Sequence, residues 1–553
     1  MPARRADESW LAEGRPDTAT YRKLSGSQIA AMERSNQLLP WRTDLLSPIM
    51  FQRLTMGLCG FLDGGIKLND PFIPAAAALS ASLFTGRPID AFARLSIRRM
   101  DEAAPDRDGQ PGLYTGDIDT VWWLCAGGPT SRQNRSAAAA NQAQNTDGRL
   151  ILRCGHLTEQ LMYRSLQSQG VALNLSPGSL ALFTPDVAGN LPLNCARLLR
   201  RFAKFDDCTT TLSKIEGWLF QRVVEETGDP ATATIITGKP TALSHATSHY
   251  SSVSYLRARG VHARIVDSGD IFLRTAPEDS PRPRDWDDEL IVGVQPRLPE
   301  TTETVRLGSK FVPKFEEVRR LATRLRESLC QARASQEQGR TAEIHRVFTL
   351  YTIAMVGFAT GSRAVLDPIP TLAVADRTTG FVVIDDKGGK GGSRARLSWL
   401  APAALEQIAR YERHLGALQA YLPEADFAKI AALRAHRHDR LPVFFIDRAG
   451  EIQSAQVKDI AAGFADTMID FHLPMNAWRH YVRAELSMKV PGDVLHAFLG
   501  HWHRGQEPWS EFSALDPLAY RSSLASVMIP MLDRDGWEPE CGLSDEVSLG
   551  PRA

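Results

Sequence analysis

The chain has 553 residues, 43% of them hydrophobic and 23% charged, a composition that excludes wholesale disorder and a length that excludes a single hydrophobic core. Its 64 basic and 64 acidic side chains cancel, which removes the uniformly positive field typical of nucleic-acid binders and leaves room only for a local basic face. Residues 301–400 offer one, with 16 Lys and Arg against 10 Asp and Glu.

The longest stretch of small apolar residues, 74–84, is far shorter than the roughly 20 residues a bilayer requires, and the charged residues 1–16 lack the apolar core of a secretory signal. An intracellular protein without a membrane span is expected. Seven cysteines include no Cys-x-x-Cys pair, so reduced, mostly buried thiols and no zinc site are expected.

In chain order, residues 1–205 mix helical and short strand patterns and carry no chemical motif; they read as a helix-rich N-terminal extension of unknown role. Residues 206–275 are predicted as a small helical domain, because Leu212, Ile215, Trp218, Leu219 and Val223 recur at helical spacing. His245, His249 and Tyr250 lie close together there, and read as solvated or DNA-facing side chains. Residues 276–300, rich in Pro, Asp and Glu, are predicted to be a linker.

The last part, 301–553, is predicted to be mainly α with one small antiparallel sheet, an α+β fold. Val318, Leu321, Leu325 and Leu329 form one stripe of a basic amphipathic helix. Residues 344–359 are apolar nearly all round and stop at Gly361, which predicts a buried helix delivering Ser362 and Arg363 to a turn. Three strands are expected at 372–375, 381–384 and 395–400, the last two joined by a glycine-rich hairpin carrying Lys387 and Lys390. Pro402, Ser454, Pro491 and Asp516-Pro517 mark the starts of further helices.

Five separated residues then stand in order: Arg363 after Thr360-Gly361-Ser362, Lys387 in the hairpin 24 residues later, Arg479, His501 in Leu499-Gly500-His501 22 residues beyond that, and Tyr520. This order resembles the catalytic domain of the tyrosine recombinase (phage-integrase) family over roughly residues 306–532. The resemblance implies site-specific DNA recombination for a mobile genetic element. It further implies a 3′-phosphotyrosyl intermediate, double-stranded DNA as partner, a homotetramer on paired sites, a bacterial nucleoid-associated location, and neither metal nor other cofactor.

The chemistry explains the residue types. Attack by a phenol oxygen on a phosphodiester builds charge on two non-bridging oxygens, which two guanidiniums, Arg363 and Arg479, can clamp with charge-assisted hydrogen bonds. The 5′ oxygen leaves well only when protonated, a task for Lys387, with Lys390 in reserve. By the resemblance His501 would bind the scissile phosphate and Tyr520 would be the nucleophile. Tyr520 is the only tyrosine after the Leu-Gly-His box.

The pattern also departs from the family. Asn476 stands three before Arg479 where relatives carry histidine, and an asparagine takes up no proton at neutral pH; His472 and His480 are nearby substitutes. Leu366 replaces an expected acidic residue, with Asp367 beside it. The 19-residue gap from His501 to Tyr520 implies an inserted loop, which packs its Trp502 and Trp509 over the core or touches DNA or a neighbouring protomer. Two other functions stay open: a DNA-binding accessory protein that has lost turnover, and a type IB topoisomerase-like enzyme.

Overall fold

A computed structural model describes residues 45–543 apart from 63–64, 100–111, 116–120, 126–135, 145–149, 172–179, 204–209, 240–248, 275–305, 338, 364–374, 385–394, 423–425, 427–442, 447–449, 468, 488, 502–507 and 510–512. The predicted linker 276–300 and residues 372–374 of the first expected strand lie outside these residues, as do Asp367, Lys387 and Lys390. Among the described residues no helix is long and apolar enough to cross a membrane.

The chain is mainly helical with small sheets. In its first half, helices α1 (Pro48–Cys59), α2 (Ile73–Thr85), α3 (Ala137–Gln142), α4 (His156–Ser168), α5 (Pro185–Ala203), α6 (Leu212–Thr227), α7 (Pro230–Thr237) and α8 (Tyr255–Arg274) accompany a five-stranded sheet. Its strands β1 (Ser96–Arg99), β2 (Gly112–Thr115), β3 (Val121–Cys125), β4 (Leu150–Arg153) and β5 (Leu180–Ala181) lie in the order β4-β3-β2-β1-β5. All neighbours run antiparallel except β1 and β2.

The alanine-rich stretch that is too short for a membrane becomes α2, every residue of which is buried. Small side chains let α4, α5 and α6 approach it closely, and its hydroxyls are satisfied locally: Ser80 Oγ meets Thr158 Oγ1 at 2.7 Å, and Thr85 Oγ1 donates to the Ala81 carbonyl at 2.7 Å. The ring of Trp218 on α6 stacks on Phe51 of α1 at 4.4 Å. Residues on both sides of the expected boundary at 205, such as Leu198 and Leu219, therefore share one core. Helical periodicity marks an element's buried stripe but not which elements that stripe joins. Of the described cysteines, Cys154 and Cys195 are buried, Cys59 and Cys541 half-buried and Cys330 exposed, so burial is less general than expected.

The second half is organised around α10 (Arg340–Thr360), buried from Val347 through Thr360 and ended by Gly361 in the left-handed conformation (φ 56°), as its apolar sequence predicts. Against it pack α9 (Phe315–Ala334), α11 (Pro402–Leu418), α12 (Val457–Asp466), α13 (Ala477–Leu486) and α15 (Pro517–Arg534), with α14 (Gly492–Leu499) between α13 and α15. On α9 the predicted stripe Val318, Leu321, Leu325 and Leu329 is buried. Strands β6 (Ser252–Ser254) and β7 (Arg306–Gly308), β8 (Phe381–Ile384) and β9 (Arg396–Trp399), and β10 (Phe444–Ile446) and β11 (Ile452–Ser454) form three antiparallel pairs. Ser454 ends β11 instead of capping a helix; α12 opens on Gln456, whose side chain and that of Asp459 form a reciprocal capping box. Pro491 is the cap of α14 and Gly492 its first residue.

A buried ion pair joins the two halves. Asp229, the cap of α7, accepts from Arg483 Nη2 of α13 at 2.9 Å, while Arg483 Nε donates to Ser251 Oγ at 2.6 Å. Burial pushes the Asp229 carboxyl up, but Arg483, His496 and Thr232 outweigh it and hold it well below the usual range. Asp229→Ala would strand a buried guanidinium and should cost about 3–5 kcal/mol in urea unfolding. Asp229→Ala combined with Arg483→Met should recover most of that loss; a double variant as unstable as the single one would show that the charge is not the source of the cost.

Candidate active site

The site is built where three chain turns meet. Gly361 ends α10 and turns the backbone so that Ser362 is buried and Arg363 half-buried. Trp478, in the first turn of α13, lies so close to Gly357 of α10 that a Cβ there would stand 2.6 Å from the indole, and its Nε1 donates to the Ser362 carbonyl at 2.6 Å. This close packing sets the height of the next residue, Arg479, which is fully buried.

Arg479 Nη1 donates to the Gly361 carbonyl at 2.8 Å, and Nη2 to the Leu499 carbonyl and to His501 Nε2, the latter at 3.1 Å. The two carbonyls terminate α10 and α14, the negative ends of their helix dipoles, so the buried cation meets partial charges of the right sign. A guanidinium only donates, so Nε2 of His501 carries a lone pair and the imidazole is the neutral Nδ1–H tautomer. Burial first, then Arg479, Arg483, His496 and Arg363, hold His501 well below its ordinary range. Gly500, left-handed at φ 66°, turns the chain out of α14 and brings His501 to Arg479.

Arg363 reaches the same place. Its Cζ lies 5.6 Å from the ring centroid of Tyr250, and that of Arg479 lies 5.1 Å from the same ring. Tyr250 also stacks on His501 (6.0 Å, 25° between planes) and packs against His480 at 4.7 Å. Tyr250 is thus half-buried among these side chains instead of freely solvated. The neighbouring His249 packs against His480 as well, at 5.4 Å. The sequence signal was the His249-Tyr250 pair itself, but the pairing of β6 with β7 that delivers it is non-local. His480 is buried with Nδ1 2.6 Å from Ser309 Oγ. Among the described residues Ser362 Oγ, His480 Nε2 and His501 Nδ1 are buried atoms without a hydrogen-bond partner, so this corner holds polar capacity that no described residue uses.

Tyr520 is placed differently from the arginines. It is fully buried in the first turn of α15, and its hydroxyl donates to the Leu397 carbonyl of β9 at 2.8 Å. Phe381 stacks on its ring at 6.3 Å and Trp509 meets it edge-on at 5.0 Å, so this tryptophan of the inserted loop packs over the core. Burial raises the Tyr520 phenol strongly, only partly offset by Arg396. Asn476 caps α13 through its backbone: its carbonyl accepts from the Arg479 amide at 3.0 Å, with no side-chain cap bond. His472 is exposed and pairs with Asp470. Arg396, which sequence reasoning did not single out, is buried and donates to the Thr360 and Phe498 carbonyls. Among the described residues no cluster of His, Cys, Asp and Glu could hold a metal ion.

Compared with protein-family models, with curated proteins and with solved structures, the chain gives no match.

Burial holds His262 and His345 down to about 4, and burial with His249 and Arg479 holds His480 down to about 3, against an ordinary 6.5. In the unfolded chain these groups take up protons near pH 6.5, so their contribution to stability is complete above that pH and is lost as pH falls toward 4. Near pH 5 the three together should steepen the loss to roughly 4 kcal/mol per pH unit, at about 1.4 each. Urea midpoints from pH 7.5 to 4.5 check this; a flat profile would mean that the histidines are hydrated or charged in the folded state.

Proposed function

We propose that the chain is a DNA strand transferase of the tyrosine recombinase kind, acting on double-stranded DNA with Arg363 and Arg479 as the clamp on the scissile phosphate. The observation that carries this reading is convergence: the turn after α10, the start of α13 and the Leu-Gly-His turn after α14, all named from sequence order, meet around Arg479. Neutral His501, with its Nδ1–H unpartnered among the described residues, fits a group that donates to a phosphate oxygen.

In this reading Tyr520 attacks phosphorus, the phenol proton leaves to solvent or a neighbouring base, and the 5′ oxygen departs with a proton from Lys387. The 3′-phosphotyrosyl bond keeps the energy of the phosphodiester for rejoining, without metal or nucleotide. Tyr520 must first give up its hydrogen bond to the Leu397 carbonyl, a change that DNA binding would drive. A tetramer on paired sites, integration of a mobile element and a bacterial nucleoid location complete the proposal. The buried phenol, together with Asn476 at the histidine position, favours a second reading in which the protein binds DNA as an accessory factor without turnover.

A nicked duplex drawn from DNA flanking the encoding locus, which traps covalent intermediates, separates the two. The enzyme should yield an adduct that is absent in Tyr520→Phe and reduced about 10²–10³-fold in Arg363→Ala, with the thermal midpoint of each variant close to that of the parent. Salt-sensitive binding without any adduct establishes the accessory factor instead.

A further inference from the structure

We propose that Tyr250, supplied by the first half of the chain, is a positioning residue of the arginine site: its ring holds Arg363 and Arg479 in register for one phosphate. The inference rests on reading the arginine pair as a phosphodiester site. Two guanidiniums brought to one place repel each other. An aromatic face within about 6 Å of both attracts each of them, and Tyr250 meets both at 5.6 and 5.1 Å.

The ring is fixed from behind. The next residue, Ser251, is buried, its carbonyl accepts from the Ser309 amide at 2.7 Å, and its Oγ accepts from Arg483 at 2.6 Å. Gly308 makes the first bond possible: at φ 108° a Cβ there would stand 2.4 Å from the Ser251 carbonyl oxygen. Arg306 on β7 donates to Ser252 Oγ at 2.9 Å and to the carbonyls of Ser252 and, on α13, Ala484. Tyr250 is therefore anchored to the helix that carries Arg479. His480 Nε2 and His501 Nδ1, without a hydrogen-bond partner among the described residues, belong to the two imidazoles on which its ring packs. Polar atoms left over beside a fixed aromatic ring and two cations describe a site prepared for an anion.

The ring, rather than the hydroxyl, performs this task, which makes the test specific. Inorganic phosphate is titrated by calorimetry into the full-length chain and into Tyr250→Phe, Tyr250→Leu and Arg363→Ala, with circular dichroism and thermal midpoints as controls on folding. Tyr250→Leu should weaken phosphate binding about tenfold or more at an unchanged fold, Tyr250→Phe should restore affinity to within about twofold, and Arg363→Ala should lose binding. Tyr250→Leu binding as well as or better than the parent overturns the positioning role while leaving the arginine site standing, and so does a phosphotyrosyl adduct mapped to Tyr250, since the hydroxyl would then be the working group. Parent binding that Arg363→Ala does not change overturns the phosphate site itself and this inference with it.

Discussion

The rest of the structure depends on one buried cation. Arg479 has no solvent to stabilise it, and burying an isolated guanidinium would cost several kcal/mol. The fold compensates with the carbonyls at the ends of α10 and α14 and with the lone pair of His501. Arg396 repeats the arrangement one residue earlier on each helix, at Thr360 and Phe498. Two arginines therefore stitch the same pair of helix ends, and the turns that follow, bearing Arg363 and His501, inherit fixed positions. The carbonyl ends of two helices are a sensible place to keep positive charge, and the same bonds fix the guanidinium's orientation.

Helix α13 is the element both halves share. All ten of its residues are buried. One side supplies Trp478 and Arg479 to α10, while His480 and Arg483 face Ser309, Ser251 and Asp229 from earlier in the chain. The close approach continues at Gly492, where a Cβ would lie 1.9 Å from the Gly228 carbonyl oxygen, so the start of α14 admits only glycine without a shift. A helix packed from two directions has few alternative placements, and this explains how a tyrosine from residue 250 can meet arginines 113 and 229 positions later.

Much of the second half was legible because its signals are local. The all-round apolarity of α10 and its glycine stop, the stripe on α9, the proline starts of α11 and α15, and the β8–β9 pair flanking the predicted hairpin all follow from residues adjacent in sequence. The meeting of Arg363, Arg479 and His501 was legible only through their order, since no local rule brings them together. What sequence reasoning missed depends on long-range partners. Tyr250 owes its place to β6 pairing with a strand some 50 residues away, Asp229 to a helix 254 residues on, and the continuity of the first core to packing that periodicity does not encode. Residues 137–142 form a helix whose Gln142 accepts from the His472 amide at 2.8 Å, another contact with no trace in either segment alone.

Tyr520 poses the sharpest physical question for the proposed chemistry. Its ring is buried and its hydroxyl occupied, yet the residues before it, from Asp516 through Ala519, are exposed. The first turn of a helix is held by its cap and few backbone bonds, here Asp516 accepting from the Leu518 and Ala519 amides and the 2.9 Å bond from the Tyr520 amide to the Asp516 carbonyl. Opening that turn forfeits roughly 2–3 kcal/mol of ring burial and about 1 kcal/mol for the hydroxyl's bond. A DNA interface with several phosphate contacts supplies more than this. On the proposed reading, a buried tyrosine in the first turn of a helix is a nucleophile held in reserve: burial keeps the phenol protonated, and its bond to the Leu397 carbonyl holds it in place until DNA binding releases it.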